Sequence, residues 1–285
     1  MDTKIAAVQM NCENGQMAST LQKMLSYVEE AADHGAKLVI LPEGIYQGYI
    51  FTSYEEAAAV AEEIPSGNCV QALIKKAAER DVYIIAGLYE KEGIHLYNSA
   101  VLVGPEEGYI GTYRKMHMWS TEKLYCEESH TGFPVFDTKL GRIGIMICYD
   151  LWFPETIRLL TLQGADLICS PSGWVLDENI VSSEMPMANT LCIANSHCNG
   201  VYIAASVRVG QERGTKWVGN SIITSPKGSV LAKASSDNEE IIYADVDLRS
   251  AKASRCWGPR THIIADRRRD YYDEMLGYSA SPYIL

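Results

Sequence analysis

Strands and helices alternate through the first half of this sequence and strands dominate the second, with no linker-like break in composition, internal repeat or low-complexity stretch. This pattern predicts a single α/β domain whose sheets are covered by helices. Two further observations support that class. Several strand candidates are short, nearly continuous apolar runs, as expected of strands buried on both faces. Several also end at a polar residue beside Pro or Gly, as at Pro42-Glu43-Gly44 and at Cys148 a few residues before Pro154, where α/β folds place functional groups.

Lys4–Gln9 reads as the first strand, and Met17, Leu21, Met24, Leu25, Val28 and Ala32 follow at helical spacing up to Gly35. Lys37–Leu41 is a second strand, and Glu55–Glu63 a short acidic helix after the turn Tyr46-Gln-Gly-Tyr49. Ser66 is expected to cap an amphipathic helix carrying Val70, Leu73, Ile74 and Ala77 on one face. Strands are predicted over Val82–Leu88, Leu96–Val103 and Tyr109–Arg114, the last delivering Lys115. Ser120–Gly132 has neither period and reads as a polar loop. Phe133–Phe136 and Arg142–Ile147 then form a strand pair, Pro154 opens a helix toward Gly164, and Asp166–Cys169 is a further strand. Pro186 starts a helix stopped by Gly200, and Val201–Val207, Val218–Ser225 and Ile241–Val246 are strands.

Composition narrows the functions open to the chain. A net charge of −11 over 285 residues argues against a nucleic-acid surface or an anionic membrane partner. No apolar run approaches the ~20 residues of a membrane span, and Met1–Met10 lacks the pattern of a secretory signal. The eight cysteines include no C-x-x-C pair, so reduced thiols in a cytoplasmic protein are expected. The six histidines are scattered, so no metal and no cofactor are expected. The first strand-to-helix turn, Asn11-Cys-Glu-Asn-Gly15, lacks the glycine fingerprint of a dinucleotide site.

Cys148 closes an apolar run and precedes a helix start, a position that favours a thiolate through the positive potential of a helix N-terminus. Taken alone, it reads more readily as a small core hydrophobe, and Glu43 alone as a solvated loop residue. Together, Glu43, Lys115 and Cys148 each follow an apolar strand, and they supply a base, a cation for an oxyanion and a nucleophile without any histidine. No G-x-S-x-G, P-loop or H-E-x-x-H competes with them.

Leu41-Pro42-Glu43, Tyr113-Arg114-Lys115 and Gly144-Ile-Met-Ile-Cys148-Tyr149-Asp150 with Phe153-Pro154-Glu155 resemble the three motifs of the nitrilase superfamily of carbon–nitrogen hydrolases. The resemblance extends over nearly the whole chain, through the Tyr97-Asn98-Ser99 turn, Gly219-Asn220-Ser221 and the closing Asp-Arg-Arg-Arg segment. It implies a four-layer αββα sandwich, one domain over residues 1–285, and self-association as a homodimer or higher oligomer through the helix after the cysteine turn and a tail from about residue 265. It implies Glu43 as general base, Cys148 as nucleophile, and Lys115 with the Tyr149 N–H as oxyanion donors. It also implies a second glutamate in the loop after the lysine, for which Glu122 fits better than Glu127 or Glu128. Tyr49, Trp119, Ser172 and Trp174 are further candidates for the substrate pocket, and His117 is expected to be a hydrogen-bonding support.

Family branches differ in the carbon–nitrogen bond they cut. Cys148-Tyr149-Asp150 differs from the Cys-Trp-Glu usual in true nitrilases and resembles the amidase-type branches. Most favoured is therefore a small-molecule amide hydrolysed to carboxylic acid and ammonia through a thioester. The run to Glu155 with Gln163-Gly164-Ala165 also resembles N-carbamoylputrescine amidohydrolases, whose action would release carbon dioxide as well. Met185–Asn195 lacks the arginines many relatives carry there, which disfavours a carboxylate-bearing substrate unless Arg208 reaches the pocket. A binding module without turnover is the alternative outside enzymes.

Overall fold

A computed structural model describes residues 2–12, 15–175 and 186–275. The chain forms β1 (Thr3–Gln9), α1 (Met17–Asp33), β2 (Leu38–Ile40), α2 (Tyr54–Val60), α3 (Asn68–Arg80), β3 (Tyr83–Glu92), β4 (His95–Gly104) and β5 (Gly108–Arg114). After a single 3₁₀ turn at Ser120–Leu124 come β6 (Val135–Thr138), β7 (Gly141–Ile145), a second 3₁₀ turn at Cys148–Trp152, α4 (Pro154–Leu162) and β8 (Leu167–Ser172). Then follow α5 (Met187–Asn199), β9 (Tyr202–Val207), β10 (Val209–Glu212), β11 (Thr215–Val218), β12 (Ile222–Thr224), β13 (Val230–Lys233), β14 (Glu240–Val246) and α6 (Leu248–Ala253).

Two six-stranded sheets carry the fold, ordered β14-β1-β2-β3-β4-β5 and β13-β12-β9-β8-β7-β6. Each has three parallel strands at its centre, β1-β2-β3 and β7-β8-β9, flanked by antiparallel neighbours. The parallel strands are buried on both faces, which explains their unbroken apolar runs. Ile5, Leu38, Ile40 and Ile85 face Ile143, Ile145, Leu167 and Cys169 in the core between the sheets. The alternate residues Ala6, Val8 and Val39 pack outward against Leu21, Met24 and Val28 of α1 and Leu73 of α3. On the far side, Ile157 and Leu160 of α4 and Cys192 of α5 close the second sheet. The layers are therefore helix, sheet, sheet, helix, as the resemblance implied.

Some local expectations shift. Gly67, not Ser66, occupies the N-cap of α3, and it does so without a side-chain hydrogen bond. The strand before the cysteine ends at Ile145, because Met146 and Ile147 already lead into the 3₁₀ turn. Val218–Ser225 is split by Gly219 and Asn220, both at positive φ, into β11 and β12. Among the described residues, no helix is long and apolar enough to cross a membrane.

Candidate active site

Glu43 follows the interior strand β2 and Lys115 follows the edge strand β5; the two strands run in the same direction, so both residues leave the first sheet at the same end. Gly87 on β3 lets Pro42-Glu43 lie against it, since a Cβ there would sit 2.6 Å from the Glu43 Cα. Lys115 Nζ donates to Glu43 Oε1 at 2.7 Å and to Glu122 Oε2 at 2.6 Å. Asn98 Nδ2 on β4 donates to Glu43 Oε1 at 2.8 Å and to Glu122 Oε1 at 2.5 Å. All four side chains are buried. Glu122 comes from the loop read as aperiodic. Its 3₁₀ turn folds back so that the Trp119 N–H donates to the same carboxylate at 2.9 Å.

Cys148 arrives from the second sheet and has φ 46°, the left-handed region that a non-glycine residue rarely occupies. Such strain is held only where the surroundings over-determine it. Here it turns the sulfur out of the strand line toward Glu43. Gly173 completes the approach: a Cβ there would lie 3.0 Å from the Trp217 ring and 3.3 Å from Glu43 Oε2. That oxygen accepts from neither Lys115 nor Asn98, and the Glu43 carboxyl and the Cys148 thiol are close enough to shift each other's ionisation.

Burial pushes the Glu43 carboxyl above its ordinary value, Lys115 pulls it back, and Glu122 adds to the rise. For Lys115, burial opposes the charge, but Glu122 and Glu43 outweigh it and hold the ammonium well above its usual range. The thiol departs from expectation. Burial first, and then the Glu43 charge, raise Cys148 well above the ordinary cysteine value, while Lys115 and a Gly173 N–H only partly offset this. The helix N-terminus expected to acidify it begins at Pro154, beyond the intervening turn. These surroundings favour the neutral thiol over the thiolate.

Above the sulfur lies a cavity of about 240 Å³, walled by Trp119, Tyr149, Trp152, Trp174, Met187 and Val218. Among the described residues its lining carries no charged side chain. A larger space of about 580 Å³, beside Asn11, Lys23 and Glu239, touches none of these groups.

The family description Carbon-nitrogen hydrolase matches residues 4–255. This chain belongs to the carbon–nitrogen hydrolase family. It is 41% identical over 269 residues to a protein named Nitrilase from Pyrococcus abyssi, covering 94% of this chain and 98% of that one. It is 30% identical over 280 residues to Omega-amidase NIT2 from Homo sapiens, covering 94% and 96%. Among solved structures, a carbon-nitrogen hydrolase from Helicobacter pylori G27 superposes with a TM-score of 0.87 at 28% identity, covering 97% of this chain and 99% of that one. The chain is accordingly an enzyme that hydrolyses carbon–nitrogen bonds of the amide and nitrile kind.

Within this hydrolase, Trp119, Tyr149 and Trp174 line the cavity beside Cys148. Tyr49 and Ser172 stand elsewhere. Tyr49 is buried edge-on against Trp217, with Lys115 Nζ 5.8 Å from its ring centre, so it backs the lysine. Ser172 is buried and donates to the Ser170 carbonyl. Glu127 is exposed and pairs with His95, and Glu128 is exposed, which leaves Glu122 alone of the three in the buried network. Arg208 does not reach the cavity. It is fully buried, ion-paired with Glu212 and bonded to Asn11 and the Cys12 carbonyl. Glu212 in turn accepts from the Tyr49 and Ile50 N–H groups and so fixes the Tyr49 loop.

Two residues have more to do than their motifs indicated. Asn98 joins the triad directly. Asp150 ties the two sheets: its carboxylate accepts from Tyr113 Oη at 2.7 Å and from His117 Nδ1 at 2.7 Å on the lysine side, and from the Ile147 N–H at 2.9 Å on the cysteine side. His117 is therefore the hydrogen-bonding support expected, with its ring stacked 3.7 Å from Phe153. The Tyr97-Asn98-Ser99 stretch read as a turn lies inside β4; an asparagine there and the residue after Cys-Tyr look ordinary in sequence, because nothing local reveals which strands become neighbours.

Proposed function

We propose that this hydrolase cleaves a small, uncharged amide to its carboxylic acid and ammonia through an acyl-thioester on Cys148. The observation that carries the reading is a buried Glu43 carboxyl whose Oε2 is left open by Lys115 and Asn98 and which interacts with the Cys148 thiol, at the floor of a cavity whose described lining is aromatic and aliphatic and carries no charge. In the reaction Glu43 Oε2 takes the thiol proton as the sulfur attacks the carbonyl carbon. Lys115 Nζ and the Tyr149 N–H receive the oxyanion. The carbon–nitrogen bond then breaks, and Glu43 returns its proton to the departing amine, leaving the thioester. Water, deprotonated by Glu43, attacks the thioester, and the acid leaves as the proton passes back to sulfur. Glu122 keeps Lys115 charged and in place.

The cavity argues for neutrality of the acyl group. Burying a carboxylate or ammonium against indole rings without a partner costs several kcal/mol, and with Arg208 sealed away no described side chain offers one. The substrate is recognised by shape and apolar contact.

The chain is further proposed to act as one domain over residues 1–285 and as a cytoplasmic homodimer. Exposed Leu159 and Leu162 on α4 and exposed Trp257, Tyr271 and Tyr272 in the C-terminal segment support the dimer. The absence of disulfides among eight free cysteines supports the compartment. Light scattering on the full chain reads the oligomer directly, and a monomer at micromolar concentration would overturn it.

A panel of neutral primary amides, carboxylate-bearing amides, N-carbamoyl amines and nitriles, scored for ammonia and carbon dioxide together, tests the substrate class. Ammonia alone, fastest from neutral amides, is expected. Carbon dioxide with ammonia would identify a carbamoylase, and a preference for carboxylate-bearing amides would overturn the neutral pocket.

A further inference from the structure

We propose that Asn98 is a positioning residue of this centre: its side-chain amide holds Glu43 by one oxygen so that the other stays open to Cys148. The inference rests on the reading of Glu43 as base and Cys148 as nucleophile, and adds how the base is aimed.

Asn98 sits inside β4, fully buried, and is hydrogen-bonded to Glu43, Glu122 and the Lys115 backbone. Both hydrogens of Nδ2 are used, one on Glu43 Oε1 at 2.8 Å and one on Glu122 Oε1 at 2.5 Å. Its backbone carbonyl accepts from the Lys115 N–H at 2.8 Å. Its Oδ1 is buried and accepts nothing. Chemistry fixes the orientation of that amide: rotated by half a turn, Oδ1 would face two carboxylate oxygens that offer no proton. The position therefore keeps an amide for its donors and leaves the acceptor idle, a cost that a hydrophobic residue of similar size would avoid.

The effect on Glu43 is asymmetric. Oε1 receives both Lys115 Nζ and Asn98 Nδ2, while Oε2 receives neither. Without Asn98 the carboxylate would have a single donor and could turn about its last bond, bringing either oxygen to the lysine. With Asn98, two donors converge on Oε1 and the second oxygen faces the sulfur. The charged and titratable groups facing Glu43 are Lys115, Glu122 and Cys148, with Tyr49, Tyr89 and Cys126 behind them. Of these only Lys115 is a cation, set against two carboxylates. The two N–H bonds from Asn98 are thus a neutral way of favouring both carboxylate charges without adding a second cation that would compete for the oxyanion.

The test is the pH dependence of Cys148 alkylation by iodoacetamide, which needs no knowledge of the substrate, together with kcat and KM on the best amide of the panel. Asn98→Leu keeps the volume and removes the donors. Loss of a hydrogen bond to the charged form raises the Glu43 pKa, so the acid limb of alkylation and of kcat/KM should move about one unit toward higher pH. At pH 7, kcat should fall about 10–100-fold with KM changed less than about threefold. Asn98→Ser, which has one donor on a shorter stem, is the second variant should the leucine protein fail to fold, and it should move the limb in the same direction. A loss of activity and thermal stability with the acid limb unmoved in a folded variant would overturn the proposal, leaving Asn98 a packing residue. Failure of the underlying reading looks different: Cys148→Ala would then still turn over amide, whatever Asn98 does.

Discussion

The buried tetrad of Glu43, Lys115, Glu122 and Asn98 and the cavity directly above it are opposites in chemistry. The tetrad concentrates three charges and an amide where no solvent enters, and each charge is paired within 2.5–2.8 Å. The cavity exposes indole, phenol and aliphatic surface and, among its described residues, no charge. Cys148, at 8% exposure, lies where the two meet, and Trp119 lines the cavity while its backbone N–H bonds Glu122. The contrast assigns the labour. Charge is kept where low dielectric makes it strong and where no reorganisation is needed during reaction. On the proposed function, recognition falls to shape, and the acyl group could vary without disturbing the machinery.

Breaking the contact between the two regions should have the largest effect. Cys148→Ala is expected to abolish ammonia release, by more than about a thousandfold, while circular dichroism and the melting temperature stay close to those of the parent. Next comes the tetrad itself. Lys115→Met leaves two buried carboxylates facing each other and should destabilise the protein by about 3–5 kcal/mol in urea unfolding, with activity lost. Glu122→Gln keeps the shape and one acceptor, so a roughly tenfold to hundredfold fall in kcat with a small change in stability is expected. On the cavity side the smallest effect is expected. Trp174→Ala should raise KM about tenfold for bulky neutral amides and leave kcat nearly unchanged for the smallest. A kcat collapse there would mean that the wall also orients the reacting carbon.

The pH profile sharpens the same contrast. Glu43 is raised by burial and must be ionised to act, so kcat/KM should fall as pH drops through a value above the ordinary carboxylate range. Replacing cavity residues should leave that limb in place, and replacing tetrad residues should move it. A limb that followed Trp174→Ala would contradict the separation.

Much of the frame was legible because it rests on local periodicity. The α1 stripe Leu21-Met24-Val28 and the doubly buried β2 and β8 are visible as pattern, since buried strands must be apolar throughout. Glu43, Lys115 and Cys148 were legible because each terminates such a run. Four things were not. The acidity of Cys148 depends on burial and on Glu43, which lies over a hundred residues away in sequence, so a nearby helix start gave the wrong direction. Arg208 looked available because it follows an apolar strand, and only the packing of Asn11 and Glu212 around it shows that it is sealed. Tyr49 flanks the glutamate motif, but the Glu212 carboxylate holds its backbone so that the ring turns toward Trp217 and away from the cavity. Asn98 belongs with these, since its partners come from three separate segments.

The most direct test of the central claim is the mass of the protein itself during turnover. Rapid acid quenching with a neutral primary amide, followed by peptide mapping, should show the acyl mass on the peptide containing Cys148, accumulating before ammonia release reaches its steady rate. The adduct should be absent in Cys148→Ala. Steady release of ammonia by the parent with Cys148 unmodified at every quench time, and undiminished release by Cys148→Ala, would contradict the account.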